Sequence, residues 1–255
     1  MVMSMHQQVS AKSASGLAAL ITGLFVSNVD AIAQNNSYSG AKDSTVTSEA
    51  EKEFNAKEVV IALRKQGYTM KLSTPIFAER VEFPYPKDFE VINEKRNGIQ
   101  YLQESVLTGE SGEQWTQMIT VTGLKGVAAS SGIKPFDFAK MMASEFKAAC
   151  PTSYSATSFG MAKVADHDSF AAVISCGTVS KMGKTPYSET ALIVVIKGTN
   201  DYYTLQWAER GSASQSAVKY DESKWEERFK NLTPIKLCPN VHSESSPFVI
   251  CGPGS

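Results

Sequence analysis

The sequence predicts an α+β fold, an antiparallel sheet with helices packed on it and a disulfide-stapled C-terminal tail. Three observations carry this. Apolar stretches of strand length follow one another through turn residues, as in Ala191 to Ala208, where Gly198-Thr-Asn-Asp201 sits between two of them. Two segments, at Pro135 and Ser223, instead space their apolar residues at helical intervals. Four cysteines, Cys150, Cys176, Cys238 and Cys251, all fall in the C-terminal half.

The first 33 residues read as an export signal. A polar start with Lys12 precedes the apolar run Leu17 to Val26, which ends in Ala31-Ile32-Ala33, a small-x-small cleavage pattern. The run is shorter than the roughly 20 residues that cross a bilayer. An uncleaved anchor or a buried N-terminal helix is the alternative. The expected organisation is signal peptide 1–33, disordered leader 34–47, one α+β domain 48–236 and tail 237–255. The expected location is the periplasm or the medium, after cleavage near Ala33. The net charge of −1 and the interspersed acids and bases argue against nucleic-acid binding. No second membrane-spanning stretch follows the signal, so no stable membrane insertion is expected.

Four cysteines in an exported chain suggest disulfides, and four allow three connectivities. The short loops favour Cys150–Cys176 and Cys238–Cys251, with buried free thiols as the alternative. No C-x-x-C is present, which leaves a redox motif or zinc ribbon without its signature.

Ser48 and Glu51 form a capping box for a helix that Gly67 would stop, although Val59 to Leu63 also reads as a strand. Phe83-Pro-Tyr-Pro-Lys-Asp-Phe89 is excluded from a central strand by its prolines and should lead into the sheet. Ile99 to Leu107 is a strand and Thr108 to Gly112 a turn. Trp115 to Thr122 alternates, with Trp115, Ile119 and Val121 on one face and Thr116, Thr120 and Thr122 on a wet one. Pro135 opens a helix at the position where its missing N–H costs nothing. Phe138, Met142 and Phe146 form its stripe, and Pro151 ends it. In the strand Ser169 to Val179, Phe170, Ala172, Ile174 and Cys176 share a face. If the Pro135 helix covers that face, Cys150 can reach Cys176. Ala191 to Lys197 is apolar on both faces and belongs at the sheet centre. Tyr202 to Ala208 pairs back on it, with Tyr203, Leu205 and Trp207 inward. Ser223 with Glu226 caps a last helix whose stripe is Trp225, Phe229 and Leu232.

This order resembles the PsbP-like fold of periplasmic DcrB-like proteins and some secretion chaperones. The residues carrying the likeness are Phe83-Pro-Tyr-Pro-Lys-Asp, Glu113-Gln-Trp-Thr-Gln-Met, Phe136-Asp-Phe-Ala and the hairpin from Ala191 to Tyr203. They span roughly residues 75–232. The resemblance implies a fold whose members mostly bind other proteins and share no catalytic set, so no residue role comes with it.

Chemistry is sparse. Beyond the signal only His167 and His242 remain. Asp166-His167-Asp168 suggests a carboxylate-oriented base or metal site, but a polar hairpin turn explains it as well. Glu226-Glu227 reads as a wet helix face. No nucleophile elbow, H-E-x-x-H, P-loop or G-x-G-x-x-G occurs. Tyr202, Tyr203 and Trp207 read as sheet core before they read as a sugar-stacking patch. The sequence therefore leads to an expected non-enzymatic protein-interaction module of the bacterial envelope, an inhibitor, immunity or envelope-maintenance factor. Its partner would be another envelope or secreted protein, met through an exposed sheet face or the stapled tail. No catalytic residue, metal or cofactor is expected. The alternative is a small-molecule or lipid carrier with a pocket between helix 135–149 and the sheet, lined by Met141, Met142 and Phe146.

Overall fold

The computed structural model describes residues 56–130, 132–180, 185–240 and 251. The signal peptide, the leader, the Ser48–Glu51 cap, His242 and most of the tail lie outside them. The described residues open on helix α1 (Ala56–Lys65), closed by Gly67 at φ +85°, so Val59 to Leu63 is helical and not a strand. Two strands form next, β1 (Met70–Ile76) and β2 (Glu79–Tyr85). Then come β3 (Phe89–Arg96), β4 (Gln100–Leu107), β5 (Gln117–Leu124) and the single-turn α2 (Val127–Ser130). Helix α3 (Pro135–Ala149) precedes β6 (Tyr154–Val164), β7 (His167–Val179), β8 (Tyr187–Lys197) and β9 (Tyr202–Ser212). Helix α4 (Glu222–Leu232) and β10 (Lys236–Pro239) complete it.

The strands make two antiparallel sheets, one of seven in the order β3-β4-β5-β9-β8-β7-β6 and one of three in the order β1-β2-β10. The molecule is thus richer in sheet than a single sheet with helices. Helix α3 covers one face of the large sheet. Phe138, Met142 and Phe146 pack among Phe170, Ala172, Ile174 and Ile193, and the Phe138 ring stacks flat on Tyr202 at 4.7 Å. The small sheet and α4 cover the other face. There Ile76, Val81, Phe83, Trp225 and Leu232 meet Ile119, Val121, Leu192, Val194, Leu205 and Trp207. Burial of each such side chain contributes about 1.5–3 kcal/mol, which fixes the layering. Strand β8 lies between two covered faces, as its unbroken apolar run requires.

The Cys150–Cys176 disulfide ties the end of α3 to β7 with Cα atoms 5.8 Å apart, and Cys238–Cys251 fastens β10 to the chain beyond it. Among the described residues no helix is long and apolar enough to cross a membrane.

Several expectations are corrected. Phe83-Pro84 lies inside β2, the middle strand of the small sheet. Proline is tolerated there because β10 pairs with β2 only as far as Glu82, leaving one side of Pro84 without a neighbour to bond. Trp115 precedes β5 and joins Met118 on the α3 side, opposite Ile119 and Val121. Thr120 and Thr122 are buried, and the Thr122 hydroxyl bonds that of Thr204 at 2.6 Å. Asp221, not Ser223, caps α4, its carboxylate accepting the Lys224 N–H. The first residues of the expected stapled tail, Leu237 to Pro239, pair with β2 as part of β10. Both faces over the centre of the large sheet are buried, so no open sheet face remains there for a partner. Its edge strands β3 and β6 each carry a bulge, at Val91/Asn93 and Ser158/Gly160, which interrupts the unpaired edge.

Candidate functional site

Four turns meet at one end of the two sheets and line an open cleft of about 730 Å³. They are Phe77-Ala78 between β1 and β2, Asn97-Gly98 between β3 and β4, Lys125-Gly126 after β5, and Asn200-Asp201 between β8 and β9. Each turn is fixed by local bonds. The Asn97 side chain accepts the N–H groups of Ile99 and Gln100. The Lys125 N–H donates to the Ile99 carbonyl. The Asn200 carbonyl accepts the N–H groups of Ala128 and Ala129. Backbone groups and the short Asn97 side chain therefore hold the walls, and Arg96 and Lys125 are left exposed.

Two buried carboxylates brace this end of the fold, Asp201 among the lining residues and Glu79 outside them. Asp201 accepts the Gly126 N–H at 2.7 Å with Oδ1 and faces the Tyr203 hydroxyl at 3.2 Å with Oδ2. Glu79, on β2, accepts both the N–H and the hydroxyl of Thr199 at 3.1 Å, clamping the small sheet to the β8–β9 turn. Burial first, and then the charges of Glu79 and Asp201, push the Tyr203 hydroxyl far above its ordinary value, so it stays a donor. Gly123 is needed for the docking itself, because a Cβ there would stand 2.5 Å from Ile76 Cγ2.

Phe77 adopts the left-handed conformation at φ +54°, an arrangement that costs a non-glycine residue about 1–2 kcal/mol. Its ring lies by Gly123 and 5.9 Å from Lys125 Nζ. Arg96 places its guanidinium 5.0 Å from the Tyr101 ring centre and donates from Nη2 to the Pro75 carbonyl at 2.5 Å. Ile99, next to the β3–β4 turn, is 57% exposed. The cleft thus combines two cations, amide groups and an aromatic wall, while its one carboxylate is committed to the fold. A nucleophile with a base beside it is not found among the lining residues.

The residues singled out in the sequence lie elsewhere. Asp166 occupies the β6–β7 turn. His167 faces the Lys197 carbonyl with Nδ1 at 3.2 Å, and Asp168 pairs with Lys163 at 2.6 Å on the surface. Lys163, by hydrogen bond and charge, holds the Asp168 carboxyl below its ordinary range. Glu226 and Glu227 are exposed. Tyr202, Tyr203 and Trp207 are sheet core. The expected carrier pocket under α3 is filled. Met142 and Phe146 are packed in the core, and Met141 points to solvent at 51% exposure. A second cavity of about 210 Å³ lies between the β6–β7 hairpin and the end of α4, lined by Val164, Phe229 and Ile235. Arg96 and Lys125 drew no notice in the sequence, where each is one surface cation among many; only Asn200-Asp201 carried a turn signal.

No family model matches this chain, and no curated protein matches it. Solved structures similar to it include a protein from Bacteroides thetaiotaomicron (12% identity, TM-score 0.34, 66% of this chain and 47% of that one). The chain spans about half the length of that protein. Others are the Ran-binding protein Mog1p of Saccharomyces cerevisiae (8%, TM-score 0.35, 65% and 85%) and LpqN of Mycobacterium tuberculosis, involved in cell envelope biogenesis (11%, TM-score 0.33, 74% and 99%). The likeness is distant and architectural. No residue role is carried from these proteins to this chain.

Proposed function

We propose that this chain is an exported, non-enzymatic binding module that engages a protein partner of the cell envelope through the cleft at the turn end of its sheets. One observation carries the reading, namely a cleft whose Asp201 is bonded internally while Arg96 and Lys125 stand exposed in it and Ile99 is exposed beside its Asn97-Gly98 turn. The strained Phe77 in its wall fits a binding role, since such conformations persist where the surroundings enforce them. The leader sequence and two disulfides support action in an oxidising compartment.

Affinity capture from envelope extracts tests this with a built-in control. A Cβ at Gly98 would meet nothing within 4 Å, so the turn accepts a side chain there, and Gly98→Trp sets a bulky ring on the cleft wall. The wild-type protein is expected to retain a specific envelope protein that the variant does not. Equal retention by both would refute the assignment of the surface.

A further inference from the structure

Charge and shape together specify what the turn-end cleft takes. We infer that its occupant is an acidic segment of the partner, with carboxylates on Arg96 and Lys125 and an apolar side chain beside Phe77. This deepens the binding reading and rests on it.

The cations are unopposed. Arg96 uses one guanidinium nitrogen on the Pro75 carbonyl, and Lys125 has an aromatic ring for a neighbour. Neither has a carboxylate partner among the described residues. The nearby acids keep their negative charge but are tied to the fold, Asp201 by Gly126 and Tyr203, Glu79 by Thr199, and Glu94 by the Tyr101 hydroxyl, so a partner's carboxylate meets the cations on their exposed side. A guanidinium has five donors in a planar fork that matches a carboxylate, and an ammonium beside it adds a second positive point.

Shape favours a segment of a macromolecule over a small molecule. Small-ligand sites enclose about 70–90% of their guest. Here Arg96, Asn97, Gly98, Lys125, Ala129 and Asn200 are all exposed, so a small guest would stay largely in water. A polypeptide laid across the turns buries its own apolar surface on Phe77 and Ile99 as well and needs no enclosure.

The test is selection from a random peptide library on the protein purified from an exporting host with both disulfides formed. Recovered peptides are expected to be rich in Asp and Glu, and to bind less tightly as salt rises. Arg96→Gln/Lys125→Gln should weaken them by about tenfold or more, as expected for the loss of two partly exposed charge pairs. Arg96→Glu/Lys125→Glu should instead select Lys and Arg, a reversal that loss of folding cannot imitate. Peptides without acidic bias that Gly98→Trp nevertheless abolishes would overturn the acidic assignment and leave the cleft as the contact surface. Peptides indifferent to Gly98→Trp, or none at all, would overturn both. Inorganic phosphate or phosphatidylglycerol vesicles bound through Arg96 and Lys125, with no acidic peptide recovered, would assign the cations to a phosphate group and refute the inference.

Discussion

Replacing Gly198 by alanine puts a methyl carbon 2.1 Å from Glu79 Oε2, 2.8 Å from the Tyr203 ring and 3.0 Å from Glu79 Cδ. Neither neighbour can yield cheaply. Tyr203 is fully buried in β9, and the Glu79 carboxylate is held by two bonds from Thr199. Displacing that carboxylate forfeits both bonds, each worth about 1.5–3 kcal/mol when one partner is charged. Gly198→Ala should therefore cost about 3 kcal/mol. Glu79→Ala loses the same bonds and strands the Thr199 N–H, at a similar cost of about 2–3 kcal/mol. In the double variant the carboxylate clash is gone and only the 2.8 Å approach to the Tyr203 ring remains. Its cost should exceed that of Glu79→Ala but fall short of the sum of the two single costs by about 2 kcal/mol. Urea denaturation of the oxidised protein, followed by tryptophan fluorescence, measures all three differences if the slope is unchanged. Costs that add to within about 0.5 kcal/mol would show that Gly198 and Glu79 do not meet and that the clamp between the sheets is misassigned.

The loop-entropy relation gives about 3.5 kcal/mol for the Cys150–Cys176 bridge and about 2.9 kcal/mol for Cys238–Cys251, from separations of 26 and 13 residues. Paired alanine replacements should rank in that order in denaturation, and a costlier loss of the tail bridge would contradict it. Met142→Ala should cost about 2–5 kcal/mol and Met141→Ala under about 0.5 kcal/mol, since the first is core and the second faces water; equal thermal shifts would mean that α3 packs on another face. Burial first, then the Glu189 carboxylate, pushes the Tyr187 hydroxyl up to about 12, and burial with Asp137 and Asp168 does the same for Tyr202. A raised folded value favours the neutral form, so the stabilisation is complete below pH about 10 and drains away between about 10 and 12, where the unfolded chain ionises first. Alkaline titration by tyrosinate absorbance should show unfolding in that window, and stability flat through it would be the contrary result.

What the sequence reveals follows from where burial is strong. Strands β7, β8 and β9 and helix α3 announce themselves because α3 and the small sheet demand apolar residues at fixed intervals. The shared face of Phe170, Ala172, Ile174 and Cys176 lies under α3 as its period requires. Strands β1, β2, β3 and β6 are hidden for the opposite reason. They sit at sheet edges or in the small sheet, and their polar, proline-bearing stretches resemble loops. Pro84 misleads because proline rules describe a strand bonded on both sides, whereas β10 stops short of it. Trp115 misleads because it lies before the first residue of β5, where strand alternation does not hold. The cleft was legible only at Asn200-Asp201. Its cations come from turns that are distant in sequence, and nothing local distinguishes Arg96 or Lys125 from a solvated side chain.

The contact surface is tested most directly by site-specific photo-cross-linking in the exporting cell. Ile99, next to the cleft's Asn97-Gly98 turn, and Met161 on the β6 edge are matched in exposure, 57% and 59%, and differ in place. A photoreactive residue at 99 should trap a defined envelope protein, and one at 161 should not. Adducts at 161 alone, or equally at both, would contradict the assignment of binding to the turn end of the sheets.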